Sequence, residues 1–370
     1  KAGIIGYGQM GKMWAEVLSG VESIEIVGIA DPSEDRRDDA ALIYPVPMYM
    51  SGFHMLHHAR ELDMVVIATH VRDHYVQADY AFQRGCHVIC EKPMALTSLQ
   101  CDAMIAHAKW CNLKLAINHQ SIFSRAVFVA EQKIIAGDIG KLFAIKAYGK
   151  GRIACSDLME IAGHLLHLMW YFAGGEVTEV YGDVTINGYP VTLDDVVPIL
   201  QLYPQGRDSG LGAGDRIFGY YKFASGIRGE LHLDMLEGAP DTFGEKLGQS
   251  RNYGYNLELL GTKGRMQLYL PRALFSTSSP LDDLAKHATP WLEVDPSLRE
   301  ERDPVLMRRL AKDFLCSIRD NTDPAVSGEV GRMVMDMTLG VYASHLAGRP
   351  LALPLVDRRH PFHASKFYVN

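Results

Sequence analysis

A chain of 370 residues, 48% hydrophobic and 22% charged, is longer than one hydrophobic core usually serves, so two domains are expected. Its formal charge of -7 comes without a basic run, which excludes the electrostatic footprint of a nucleic-acid or anionic-membrane partner and leaves a small molecule as the expected one. No apolar stretch has the length of a membrane span and the sequence opens on a strand, which predicts a cytoplasmic location.

The first stretch, GIIGYGQMG (3–11), breaks a short apolar run into the spacing G-x-G-x-x-G before the helix-like KMWAEVLSG. Three such glycines alone are as compatible with ordinary turn chemistry as with a nucleotide site. Their context decides: a second apolar strand, IEIVGIA (24–30), ends in Asp31, 20 residues after Gly11, where a ribose-binding acid falls in a dinucleotide-binding βαβ unit. Gly6 then serves the tight turn, Gly8 the close approach of a pyrophosphate and Gly11 the packing of helix on strand, with the helix N-terminus facing the anion.

Beyond Asp31, SEDRRDDAA starts a helix, VPMYM is a short strand and SGFHMLHHAR a short helix. MVVIATH (64–70) is an almost unbroken apolar run, as in a parallel strand buried on both faces. The alternation continues through helix DHYVQADYAFQRG, strand CHVIC, helix LTSLQCDAMIAHAKWC and strand KLAINH, which closes a doubly wound parallel sheet near residue 120. After a helix over 126–136 the pattern changes to strands in series, among them KLFAIKAYG, EVTEVYGDVTI, the hairpin RIFGYYKFASGIRGELHLDM, YNLELLG and GRMQLYL. The fold class is therefore α/β for 1–120, a Rossmann-type sheet, followed by an α+β domain over 121–370 with a large open-faced, mostly antiparallel sheet. Late helices near 305–319 and 329–346 pack on that sheet or return to the first domain. The six cysteines, Cys86, Cys90, Cys101, Cys111, Cys155 and Cys316, lie in regular elements without C-x-x-C spacing and are expected to be reduced, buried thiols.

Three places beyond the glycines carry chemistry-bearing residues. Glu91-Lys92-Pro93 follows the strand CHVIC, and ligands of open α/β sheets bind at the carboxyl ends of strands. The competing reading is a surface lysine in a turn. ATHVRDH (68–74), at the end of another strand, is placed beside the nicotinamide, or else its His70 and His74 only cap the next helix. In SDLMEIAGHLLHLMWYFAGG (156–175), helical geometry puts Glu160, His164, His167 and Tyr171 within about 60° of one another, roughly 120° from a stripe of Leu158, Ile161, Leu165, Leu168 and Phe172. Glu160 and His164, at i and i+4, can hydrogen-bond, which fixes an imidazole tautomer. A solvated face behind an Asp157 to Glu160 capping box is the plainer alternative. No second carboxylate-rich segment completes a metal set, so no metal is expected.

Together these residues resemble the Gfo/Idh/MocA family of glucose-fructose oxidoreductase and inositol dehydrogenase. The resemblance runs through nearly the whole chain: GYGQMG, Asp31, VVIATHVRDH, EKP, the helix ending in HLLHLMWYF, and the sheet-like DDVVPILQLYP, GYYKFASGIRGEL and ELLGTKGRMQL. It implies a bound nicotinamide dinucleotide, NAD rather than NADP given Asp31, held by Gly6, Tyr7, Gly8, Gln9, Met10, Gly11, Asp31, Thr69, His70, His74, Glu91 and Lys92. It further implies a sugar, cyclitol or related polyol bound by Lys92, Asn118, His164 and His167, with Lys92, His164 and Glu160 catalytic. His164 becomes the general acid/base and Lys92 the group that stabilises the alkoxide. Glu160 stands where the family has aspartate, His167 where it often has an acid, and His70 where its turn has proline. A broad antiparallel sheet with one open face points to a homodimer or homotetramer. Two other functions fit the same fold: a glycoside-cleaving or epimerising enzyme that oxidises its substrate transiently and recycles NAD, and a dinucleotide-binding sensor without catalysis.

Overall fold

The structure, a computed structural model, describes residues 1–59, 61–149, 158–160, 162–199, 210–234, 256–269, 272–277, 292–294 and 303–367. In chain order come β1 (Ala2–Ile5), α1 (Gln9–Ser19), β2 (Ile26–Ala30), α2 (Glu34–Ile43), β3 (Met48–Tyr49), α3 (Gly52–His58), β4 (Met64–Ile67), α4 (Val71–Gln83), β5 (His87–Cys90), α5 (Ser98–Trp110) and β6 (Leu115–Ile117). After a 3-10 turn at Gln120–Phe123 follow α6 (Arg125–Ala136), β7 (Leu142–Tyr148), α7 (Ala162–Phe172), β8 (Val177–Ile186), β9 (Tyr189–Pro190), β10 (Val197–Pro198), β11 (Leu211–Gly212), β12 (Arg216–Phe223) and β13 (Arg228–Asp234). The last are β14 (Asn256–Gly261), β15 (Arg265–Tyr269), β16 (Arg272–Ser276), β17 (Leu292–Glu293), α8 (Asp303–Asp320), α9 (Gly328–Ala347) and β18 (Leu351–Ala352). Among the described residues no helix is long and apolar enough to cross a membrane.

The chain divides into two compact units. The first comprises Lys1–Gln120, Gly206–Gly210 and Arg302–Met335. Its sheet has the order β3-β2-β1-β4-β5-β6, parallel throughout, with β1 and β4 buried at every residue, as central strands covered on both faces must be. Helices are started by local side chains: Ser33, Ser51 and Thr97 each accept a hydrogen bond from a first-turn backbone N–H, which satisfies a donor the helix leaves over. α1 differs, since its N-cap Gly8 supplies no side-chain bond and its first turn holds no acid.

The second unit comprises Ser121–Gln205, Leu211–Glu301 and Asp336–Asn370. Apart from β10 and β11, its described strands form one sheet in the order β17-β16-β15-β14-β7-β13-β12-β8-β18, with β9 on β8. The hairpin read from FASGIRG is the β12/β13 pair, and ELLGTKGRMQL is the β14/β15 pair. Two expectations are refined. β7 pairs parallel with β13 while its other neighbour, β14, is antiparallel, so the sheet is mixed. The described residues of DDVVPILQLYP, 194–199, add no strand to it: Val197–Pro198 pairs with Leu211–Gly212 in a separate ribbon, and 200–204 lie outside the described residues.

Residues of α9 press on this sheet so closely that a Cβ at Gly182 would stand 2.0 Å from the Val341 carbonyl oxygen. Behind them, Arg358 donates from Nη1 to both oxygens of Asp336, at 2.7 and 2.9 Å, with the Asp336 side chain 0% exposed. That pair fastens the segment after β18 to α9.

The cysteine expectation needs correction. Cys86, Cys90 and Cys101 are free and buried, but Cys111 is half-buried at the end of α5 and Cys316 is exposed on α8. An amphipathic helix tolerates a small thiol on its outer face, so position in a helix alone did not decide burial. Cys155 lies outside the described residues.

Candidate functional site

In the first unit the glycine turn has the shape its spacing predicts. Gly6 has φ +92, and a Cβ there would stand 2.6 Å from the Ala68 carbonyl oxygen. At Gly11 a Cβ would stand 1.9 Å from the Gly6 carbonyl oxygen, so only glycine lets α1 approach its turn. Around Gly8 the space is open: the nearest atom to a Cβ would be Arg36 Nη1, at 3.9 Å. An open cradle in front of a helix N-terminus with no capping side chain and no acid in its first turn fits a diphosphate. Gln9 is exposed and Met10 half-buried at the rim, whereas the Tyr7 side chain is 2% exposed and offers only its backbone to this face.

Asp31 is 2% exposed at the end of β2. Its Oδ2 accepts from the Tyr7 backbone N–H at 2.7 Å, which ties the ends of β1 and β2 together, and its Oδ1 accepts from the Ser33 N–H at 2.9 Å. Arg36 Nη1 lies 3.5 Å from Oδ2, and Arg37 Nη1 donates to the Asp31 carbonyl.

On the other half of the same sheet, three turns are joined by buried side chains. His74 is 1% exposed, with Nδ1 2.9 Å from the Pro93 carbonyl oxygen and Nε2 3.2 Å from that of Thr69. It therefore ties the β4 turn to the Glu91-Lys92-Pro93 turn, and burial pushes its pKa below the usual range. Neither histidine caps α4 with its side chain: His70 occupies the N-cap without such a bond and is exposed. Thr69 donates through Oγ1 to Gln77 Oε1 at 2.9 Å. Glu91, 4% exposed, accepts through Oε1 from Trp14 Nε1 and from Asn118 Nδ2, each at 2.7 Å, and burial raises its pKa. Lys92 follows it, half-buried, on a cis peptide bond to Pro93.

In the second unit the helical reading of 156–175 holds for 158–160 and Ala162–Phe172, while Ser156, Asp157 and Ile161 lie outside the described residues. The solvated-face alternative fails, because Glu160 is 9%, His164 3% and His167 0% exposed. His164 Nδ1 lies 3.4 Å from Ser121 Oγ in a long hydrogen bond, and His167 stacks beside Trp170 with centroids 6.0 Å apart. Tyr171 leaves the group, donating at 2.6 Å to Glu131 on α6, and is pushed up to about 12 by burial and that carboxylate. Ser121, Trp14 and Gln77 were not singled out by sequence. Trp14 reads as core on the apolar face of α1, Gln77 is an unmarked helix position 8 residues from the Thr69 it meets, and Ser121 stands 43 residues from His164. Among the described residues no group of three His, Cys, Asp or Glu side chains is gathered as a metal needs.

A parallel sheet with an open glycine cradle at β1 and an acid at the end of β2 defines a dinucleotide-binding enzyme unit, and residues 1–119 match the family described as "Oxidoreductase family, NAD-binding Rossmann fold". The match is to the Gfo/Idh/MocA family over the first unit's opening 119 residues, and the chain is an NAD-binding oxidoreductase. It is 23% identical over 348 residues to myo-inositol 2-dehydrogenase of Thermotoga maritima, covering 90% of this chain and 93% of that protein. With D-apiose dehydrogenase of Paraburkholderia graminis it is 22% identical over 98% of this chain and 92% of the other. A solved structure of levoglucosan dehydrogenase in complex with NADH has the same fold, with a TM-score of 0.73 at 19% identity, over 96% of this chain and 99% of that one.

Asp31 is expected to set a cofactor preference, since a carboxylate that can accept from a ribose hydroxyl repels a 2'-phosphate. Titration is expected to show NAD bound more tightly than NADP. The adjacent Arg36 is the group that opposes this, so a tenfold preference for NADP would assign the recognition to Arg36 instead.

Proposed function

We propose that the protein is an NAD-dependent dehydrogenase or reductase acting on a hydroxyl or carbonyl carbon of a sugar, cyclitol or related polyol. What carries the reading is the lysine turn: Lys92 follows the carboxyl end of β5 in the unit that holds the glycine cradle, next to a buried carboxylate. Support for the substrate class comes from two relatives named for polyhydroxylated substrates that align over 90% and 98% of this chain.

When bound, the nicotinamide supplies the hydride acceptor or donor. The turn at Gly8 and the first amides of α1 hold the diphosphate, and Asp31 receives the adenosine ribose. His164 takes the hydroxyl proton in oxidation and returns it in reduction, the Lys92 ammonium stabilises the alkoxide, and Glu160, one turn ahead, supports His164. Substrate is also assigned to Asn118 and His167. We further propose a homodimer or homotetramer working in the cytoplasm.

The test is a panel of sugars, inositols and glycosides with NAD, followed at once by absorbance and by product analysis. Net reduction of NAD with a matching ketone is expected. Product without net NADH would put transient oxidation with cofactor recycling in its place, and binding without any turnover would leave a sensor.

A further inference from the structure

Asn118 stands just beyond β6 with 1% of its surface exposed. Its backbone N–H donates to the Cys90 carbonyl at 2.8 Å, which joins the ends of β5 and β6. Its side chain is oriented by one group. Glu91 Oε1 takes two donors, Trp14 Nε1 and Asn118 Nδ2, so the amide nitrogen must face the carboxylate and Oδ1 must face away. That oxygen is buried and meets no donor among the described residues. A buried acceptor left unpaired is costly, and folded chains keep one where a ligand or an ordered water supplies the donor.

The position of Asn118 limits which ligand. In the order β3-β2-β1-β4-β5-β6, the glycine turn and Asp31 lie at β1 and β2 and serve the adenosine half of a dinucleotide. The carboxyl ends of β4, β5 and β6 belong to the other half, whose donors are the carboxamide N–H groups and the ribose hydroxyls. We infer that Asn118 Oδ1 accepts a hydrogen bond from the nicotinamide riboside half of the cofactor, and that Glu91 is the positioning residue that turns the amide to present it. This rests on the NAD-binding reading of the first unit, and it moves Asn118 from the substrate to the cofactor. It also explains why a carboxylate is buried behind the lysine turn: an acceptor-only group leaves the asparagine one orientation, where a second amide would leave two.

The experiment is direct titration of the purified full chain with NAD, with its deamido analogue, in which a carboxylate replaces the carboxamide, and with AMP. Asn118→Leu is expected to weaken NAD about tenfold, the loss of one buried hydrogen bond, and to leave AMP unchanged. Deamido-NAD then locates the donor: unchanged affinity assigns it to the carboxamide, and a loss equal to that of NAD assigns it to a ribose hydroxyl. Glu91→Gln leaves the asparagine a second orientation and should weaken NAD, by less than Asn118→Leu does, whereas Glu91→Leu should repeat the pattern of Asn118→Leu. Unchanged NAD affinity in Asn118→Leu overturns the inference, as does an equal loss for AMP, which marks damage to the whole unit. Should the leucine variant not fold, Asn118→Ser removes the same oxygen with less bulk and is read the same way. A wild type that binds neither NAD nor AMP fails the parent reading too, while one that binds both, with every variant unaffected, fails this inference alone.

Discussion

Replacing His164 by asparagine is expected to lower turnover by about 10²- to 10⁴-fold while leaving NAD affinity within about twofold of wild type. The side chain is 3% exposed and its Nδ1 lies 3.4 Å from Ser121 Oγ, so asparagine can fill the space and keep a polar contact. What it cannot do is exchange a proton near neutral pH. Lys92→Met keeps the aliphatic stem, removes the charge and should depress turnover as well, with weaker substrate binding. The readouts are kcat and KM on a substrate found in the panel, with NAD affinity measured by titration. Full activity in both variants with normal NAD binding would remove His164 and Lys92 from the catalytic role. A rise in KM with kcat unchanged would make them binding groups.

The glycine turn and the first sheet were legible because their signals are local. A buried parallel strand is a short apolar run, and the tight approach at Gly11, where a Cβ would stand 1.9 Å from Gly6 O, is encoded by one residue. The second sheet was legible as hairpins, whose turns lie in the sequence, and illegible in its parallel β7/β13 pair, which joins strands with many residues between them. The face carrying Glu160, His164 and His167 was found by helical period, but period cannot tell a solvated polar face from one covered by other elements. Their burial at 9%, 3% and 0% is a tertiary fact. For the same reason the Glu91 junction was invisible: its donors stand 77 and 27 residues away, and Trp14 looks like any core aromatic. Sequence named Glu91 and Asn118 separately; only the fold put one in charge of the other.

The largest stability effect is expected at Asp336 in the second unit. Its carboxylate is 0% exposed and accepts at both oxygens from Arg358 Nη1, so Arg358→Leu takes that guanidinium away from a buried charge. Removing one partner of a buried pair costs about 3–5 kcal/mol, far more than the pair itself contributes against apolar replacements, because the remaining charge must stay unsolvated, bind a proton or unfold its surroundings. For a unit of this size that is a fall in melting temperature of roughly 6–20 °C. Arg358→Lys keeps the charge but loses the planar fork, and should fall between the leucine variant and wild type. The decisive variant is Asp336→Asn combined with Arg358→Leu. If the cost is the carboxylate left without that guanidinium, neutralising it restores most of the lost stability, and the double variant melts well above Arg358→Leu alone. Additive losses would mean instead that Arg358 acts through its packing and its 3.3 Å bond to the Leu355 carbonyl, with Asp336 a bystander. In either case NAD titration should be unaffected, since both residues belong to the second unit and the glycine cradle to the first.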